Sequence, residues 1–261
     1  KPGATLLHEI SQLAAEHDAV NLGQGFPDFA VPQRLVDELA AAMRAGHNQY
    51  APMTGVPALR RAVATKIEAL HARAYCPDSE ITITAGATQA IFTAILAIVH
   101  PCDEVIVPDP CYDSYVPNIE LAGGVAVRVP LTPGTFRPDF AKIGAAITPK
   151  TRAIIVNTLH NPSATVWTAA EMRALEALLA PTDVLVISDE VYEHRVFDGV
   201  AHESAARYPG LAARSFIVGS FGKTYHVTGR KVGTVAAPAA LTAEFRKVHQ
   251  FNVFTVNTPM Q

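Results

Sequence analysis

The sequence predicts an α/β fold: a three-layer αβα domain around a mostly parallel seven-stranded sheet. Three observations predict it. From about Pro32 onward, segments with apolar residues at helical spacing alternate with short β-branched runs, the pattern of successive βα units. Seven such runs occur, enough for one large sheet. Hydrophobic residues make up 49% of the 261 positions and charged ones 17%, so a substantial core is available and disorder is excluded.

Along the chain, Leu35, Val36, Leu39, Ala40 and Met43 recur at helical spacing, and Gly46 follows as a stop signal. Ile81–Thr84 reads as the first strand, and the small residues Thr84-Ala85-Gly86-Ala87-Thr88 open a helix from Gln89 to Val99. Val105–Pro108, Val125–Val129 and Ala153–Asn157 are the next strands. Thr168-Ala169-Ala170-Glu171 has the spacing of a capping box, followed by Met172, Leu175, Leu178 and Leu179 on one helix face. Val184–Ser188, Phe216–Gly219 and Val232–Ala236 complete the strands. Near the end, Thr258 reads as an N-cap and Pro259 as the first residue of a helix, two positions before Gln261.

The charge balance, 21 basic against 24 acidic residues, contains no basic block, which argues against nucleic acid or anionic lipid as partner. The longest apolar stretch, Ala90–Val99, is interrupted by Thr93 and is too short for the roughly 20 residues that span a bilayer. The opening residues lack the pattern of a signal peptide, so cytoplasmic location is the expectation. Cys76, Cys102 and Cys111 are three, with no Cys-x-x-Cys spacing, so neither a disulfide framework nor a zinc knuckle is expected. No metal site is expected either, since His8-Glu9 and His202-Glu203 are not followed by a second His one helical turn after the first.

Four segments carry polar residues at strand ends. Gly219-Ser220-Phe221-Gly222-Lys223-Thr224 follows a strand and ends like a phosphate-binding loop, but the glycine needed six positions before the lysine is Ile217. The strand Val184–Ser188 runs into Asp189-Glu190-Val191-Tyr192 and puts an acid at its carboxyl end, where open α/β sheets bind ligands. The turn at Gly86-Ala87-Thr88 offers free N–H groups and the positive end of a helix to a phosphate. Asn157-Thr158-Leu159-His160-Asn161-Pro162 follows another strand and faces the same rim. Each feature alone is weak, and a plain turn or an exposed lysine explains it equally well.

Taken in order, with Asn21-Leu22-Gly23-Gln24-Gly25-Phe26-Pro27-Asp28-Phe29, Asn48-Gln49-Tyr50, the run Asp109–Tyr115 and the stretch Ser220–Gly233, these segments resemble the fold-type I aminotransferases that use pyridoxal 5′-phosphate. Within them they resemble the methionine, glutamine and kynurenine aminotransferases. The resemblance implies that Lys223 bonds the cofactor aldehyde and then moves the substrate proton, and that Asp189 pairs with the pyridinium nitrogen. It implies that Asn161 and Tyr192 hydrogen-bond the phenolic oxygen and that Tyr112 stacks on the ring. Gly86, Ala87, Thr88, Ser220 and Lys231 would hold the phosphate, with Tyr50 reaching in from the second subunit of a homodimer. Gly25, Phe26 and Asn161 would meet the substrate.

The implied reaction moves the amino group of a neutral amino acid, methionine-like or aromatic, to a 2-oxo acid; the alternatives are a cysteine-conjugate β-lyase on the same site and an inactive cofactor-binding chain. Residues 1–34 are expected to form an N-terminal arm and small-domain segment, and 35–261 the large cofactor domain. The rest of the small domain, with the arginine that clamps the substrate carboxylate, is expected outside this chain. Three departures from relatives stand out: Lys231, where the wider superfamily most often carries Arg, Arg230, where relatives usually carry Trp, and Leu159, where many carry Pro. Arg230 is expected to add charge on the phosphate side.

Overall fold

The computed structural model describes residues 6–23, 27 and 29–261. Three helices come first: α1 (Leu6–Glu16), α2 (Gln33–Arg44) and α3 (Pro57–His71). Strands and helices then alternate as β1 (Ile81–Thr84), α4 (Ala87–Ile98), β2 (Glu104–Asp109), α5 (Tyr115–Leu121), β3 (Val125–Pro130), α6 (Phe140–Ala146), β4 (Thr151–Asn157) and α7 (Ala169–Leu179). The series ends with β5 (Leu185–Asp189), α8 (Pro209–Ala212), β6 (Ser215–Ser220), α9 (Phe221–Thr224), β7 (Gly233–Ala236) and α10 (Ala239–Asn252). All seven expected strands form, with bounds shifted by at most about two residues.

The strands make one sheet in the order β1-β7-β6-β5-β4-β2-β3, in which β7 runs antiparallel to both neighbours and every other pair is parallel. Side chains alternate between faces with period two, and here both faces are apolar, as covering by helices on both sides requires. Ile106, Ile154, Val156, Val186 and Ile217 pack with α3, α6 and α7. Val105, Val107, Ile155, Ile187, Phe216 and Val218 pack with α4, α5 and α10. With both faces closed, the strand ends are where a ligand can reach the sheet. No helix among the described residues is long and apolar enough to cross a membrane.

The expected capping box forms. Glu171 N donates to Thr168 Oγ1 at 3.2 Å and Thr168 N donates to the Glu171 carboxylate at 2.7 Å, satisfying two N–H groups at the start of α7. The helix expected from the spacing of Leu35 to Met43 forms as α2; none of its apolar positions is buried, and Val36 and Met43 remain 41% and 47% exposed. One other expectation is corrected. Asn257, not Thr258, precedes the terminal turn Thr258–Met260. The Thr258 hydroxyl is taken by a distant segment, accepting from Ala51 N at 3.0 Å and donating to Gln49 O at 2.6 Å. The boundary expected between residues 34 and 35 falls in the first turn of α2.

His249 joins α10 to α4 and to the segment before α3. The ring is fully buried, with Nδ1 3.1 Å from Gln89 Nε2 and Nε2 3.1 Å from the Met53 carbonyl. Only the neutral ring with its proton on Nε2 satisfies both contacts. Burial pushes its pKa down to about 4. The unfolded chain, at about 6.5, therefore binds a proton that the folded chain refuses. Stability is flat above that value and falls between about pH 6.5 and 4, by about 3 kcal/mol from this residue. Urea midpoints for the parent and His249→Gln at neutral and acidic pH check this, and the variant is expected to lose less; equal pH dependence in the two proteins would refute the assignment.

Candidate active site

The register of the sheet assembles one rim. Asn157 at the end of β4 pairs with Asp189 at the end of β5, and Ser220 at the end of β6 pairs with Gly233, the first residue of antiparallel β7. Gly233 pairs on its other side with Thr84, the last residue of β1, and so brings in the start of α4. A cleft of about 960 Å³ opens above this rim, lined among others by Gly86, Ala87, Thr88, Tyr112, Asn161, Asp189, Tyr192, Ser220, Lys223 and Lys231. All these sequence-predicted positions therefore meet in one place. Ser11 and Gly23 reach the same cleft, with Asn21 joining them through Asn21 Nδ2 to Ser11 Oγ at 3.1 Å and Gly23 N to Asn21 Oδ1 at 2.9 Å.

Asp189 is only 4% exposed. Burial raises its carboxyl pKa to about 6, against a hydrogen bond from Tyr115 and the attraction of Lys223, which lower it. The Tyr115 hydroxyl donates to Oδ2 at 2.6 Å and Val191 N to Oδ1 at 3.3 Å. The backbone behind it is tied down as well: Asn157 Nδ2 donates to Asp189 O at 3.0 Å, and Asn157 Oδ1 accepts from Asn161 N at 2.6 Å. One side chain thus fixes both the strand end and the loop that carries Asn161. A carboxylate held this deep is stabilised by any cation placed against it.

Lys223 projects from α9, with Nζ 5.5 Å from the centroid of the Tyr192 ring. Its pKa is lowered, first by burial and then by the Arg195 charge, with Asp189 opposing. The amine is thus biased toward the neutral, nucleophilic form. Burial raises the Tyr192 and Tyr112 hydroxyls, so both stay protonated as donors. Tyr112 packs edge-on against Tyr115 at 5.5 Å.

In the same cleft the start of α4 makes an anion cradle. Gly86 precedes the helix with φ 81° and ψ 168°, a conformation open essentially to glycine, and no side chain caps the first turn. Lys231, itself left-handed at φ 54°, lays its ammonium over that turn: a Cβ on Gly86 would lie 3.3 Å from Lys231 Nζ. A Cβ on Gly233 would lie 2.8 Å from Gly86 C and 2.9 Å from Ala87 N, so glycine is needed for the two backbones to approach. A cation at the positive end of a helix is unfavourable unless an anion lies between them. The donor set fits a ligand with an anionic group at one end, a protonatable nitrogen for Asp189 and an electrophile for Lys223.

Three sequence-predicted residues are not in this assembly. Gly25 and Phe26 lie outside the described residues. Tyr50 is 77% exposed and packs edge-on against Phe254 at 5.2 Å, away from the cleft residues. Arg230 corrects an expectation, because its guanidinium donates to Leu35 O at 2.9 Å and so leaves the phosphate side to Lys231. Sequence reasoning gave no role to Tyr115 or Arg195; Tyr115 stood inside the quoted Asp109–Tyr115 run, but nothing in its spacing shows that its hydroxyl reaches β5.

Removing that hydroxyl should push the Asp189 titration above its value of about 6, because a hydrogen bond to the charged form is lost. Carboxyl carbon NMR of aspartate-labelled protein, with Tyr115→Phe beside the parent, reads this directly. A midpoint that stays where it was would show that Tyr115 does not hold the charge.

The profile of the family described as aminotransferase class I and II matches residues 17–261. The methionine aminotransferase of Escherichia coli K12 is 52% identical over 259 residues, which cover 99% of this chain and 67% of that protein. Kynurenine–oxoglutarate transaminase 3 of Rattus norvegicus is 40% identical, with 97% of this chain covered, and the chain spans 58% of its length. The crystal structure of YbdL from Escherichia coli, described as having a methionine aminotransferase function, superposes with a TM-score of 0.95 at 50% identity, covering 100% of this chain and 70% of that one. A profile match over residues 17–261 and 52% identity over 259 residues show the family: the chain belongs to the class I and II aminotransferases.

Proposed function

We propose that the protein moves the amino group of a neutral L-amino acid, methionine-like or aromatic, to a 2-oxo acid, with pyridoxal 5′-phosphate held in the cleft. The observation that carries this reading is the meeting of Lys223, the buried Asp189 and the Gly86–Thr88 cradle with Lys231 in one cleft. The bound cofactor supplies an electron-withdrawing ring that spreads the charge developing at the substrate α-carbon. Lys223 would hold the cofactor aldehyde and would serve as the group that takes the substrate α-proton; its lowered pKa leaves a larger share of the amine neutral for both roles. Asp189 would keep the ring nitrogen protonated, and Asn161 and Tyr192 would hydrogen-bond the phenolic oxygen. Tyr112 would cover the ring face, while the N–H groups of Ala87 and Thr88, the Ser220 hydroxyl and Lys231 would hold the phosphate.

The lining supports a neutral substrate side chain. Ile91, Tyr112, Pro117, Val191 and Val232 are apolar or aromatic, and the carboxylate of Asp113 at the same cleft disfavours an acidic one. Gly25 and Phe26 are proposed to meet the substrate with Asn161, and the exposed Tyr50 to reach the phosphate of a second copy. Sedimentation at working concentration tests the last point, since a strictly monomeric protein would leave Tyr50 without that role.

Adding pyridoxal 5′-phosphate to the parent should produce a visible absorbance band that borohydride fixes onto Lys223, as read by peptide mass spectrometry. Lys223→Ala should give neither the band nor the adduct; an unchanged spectrum in the variant overturns the attachment. With an amino acid and a 2-oxo acid, the loaded protein should yield the matching new amino acid. Ammonia released without any new amino acid would move the reaction to β-elimination.

A further inference from the structure

We propose that Arg195 is a positioning residue for the Lys223 amine, its unpaired guanidinium setting the pH at which that amine becomes nucleophilic. The proposal rests on the reading of Lys223 as the attachment residue and adds a group that neither the cradle nor the Asp189 network includes.

The turn after β5 aims Arg195 back at α9. Arg195 N donates to Tyr192 O at 2.8 Å, which closes the turn, and the guanidinium carbon then stands 5.5 Å from the Tyr192 ring centroid. Lys223 Nζ stands 5.5 Å from the same centroid, and Arg195 Nη2 reaches the Lys223 carbonyl oxygen at 3.5 Å. One tyrosine ring therefore has two cations within 5.5 Å of its centroid, each favourably placed with the ring, while the like charges of Arg195 and Lys223 repel.

No ion pair of Arg195 is found among the described residues, whereas the next acid along the turn, Glu193, is taken by Lys66, His71 and His194. Lys223 itself is faced by Asp189 and Tyr192 from β5 and the turn after it, and by Arg195 from farther along that turn. Tyr112 and Lys231 line the same cleft, and Tyr225 and His226 follow α9. Asp189 is the carboxylate that favours the ammonium form, and the direction found for Lys223, downward, has burial and Arg195 together outweighing it. Once Asp189 is engaged by a cationic ring nitrogen, its pull on Lys223 weakens and the Arg195 repulsion remains.

Because Arg195 is exposed, its effect must be screened by salt, which a packing effect is not. The test is trace acetylation of the cofactor-free protein with acetic anhydride across a pH series, with the Lys223 peptide quantified by mass spectrometry against Lys142 and Lys150. At low ionic strength Arg195→Ala should raise the Lys223 midpoint, so that below it the lysine labels about two- to tenfold more slowly than in the parent. Arg195→Lys should keep the parent midpoint, Arg195→Gln, which retains the side-chain stem, should behave as Arg195→Ala, and about 0.5 M salt should shrink the difference. An unchanged midpoint in both neutral variants, or a shift that salt leaves intact, overturns the proposal. The readout needs no cofactor: failure of the parent to take up pyridoxal 5′-phosphate would overturn the proposed function while the labelling comparison still stands.

Discussion

The cleft depends on keeping one carboxylate charged where water hardly reaches it. Burial alone raises the pKa of an acid, and at Asp189 two donors aimed at the carboxylate oppose that rise, the Tyr115 hydroxyl from α5 and the Val191 amide from its own chain, while Asn157 from β4 holds its backbone carbonyl. The Asn157 bond requires that β4 and β5 keep register, Asn157 beside Asp189. The burial that makes the acid demanding is supplied by the two helical layers, so the core and the site share one architecture.

The chain leaving β5 divides its polar residues between two environments. Asp189 and Tyr192 line the cleft, whereas Glu190 and Glu193 are held on the other side. Glu190 is 2% exposed, and burial works against its charge. Ser188 Oγ at 2.7 Å, His202 Nε2 at 3.0 Å and Ala205 N at 2.9 Å compensate, and its pKa falls below the usual range. Burial opposes the charge of Glu193 too, yet His71 and Lys66 bring it down to about 2. These two anchored acids hold the segment that presents Asp189 and Tyr192 to a ligand, and they fix the start of the turn from which Arg195 reaches back.

Much of this was legible because the signals were local. Short β-branched runs and the Thr168–Glu171 box are short-range patterns, and strand ends in an α/β order mark the ligand rim regardless of detail. The helical spacing of α2 was also legible, but spacing says which residues share a face and not whether anything covers it, and Val36 and Met43 stayed exposed. The Thr258 hydroxyl was read as a local cap and was claimed by Ala51 and Gln49, more than two hundred positions away in sequence. Arg230 was read by its neighbour Lys231, yet the left-handed turn at Lys231 sends adjacent side chains to different places.

By itself the sequence determined the fold class, the seven strands and the set of polar residues at their ends, because residue type and spacing fix local conformation and which positions must be buried. The tertiary structure decided what those residues touch. That Tyr115 donates to Asp189 across 74 positions, that Gly233 lets β7 approach the start of α4, and that Arg195 and Lys223 share one aromatic ring follow from sheet register and helix packing. Hydrogen bonds and charge repulsion fall off within a few ångströms, and distances on that scale are set by how layers pack.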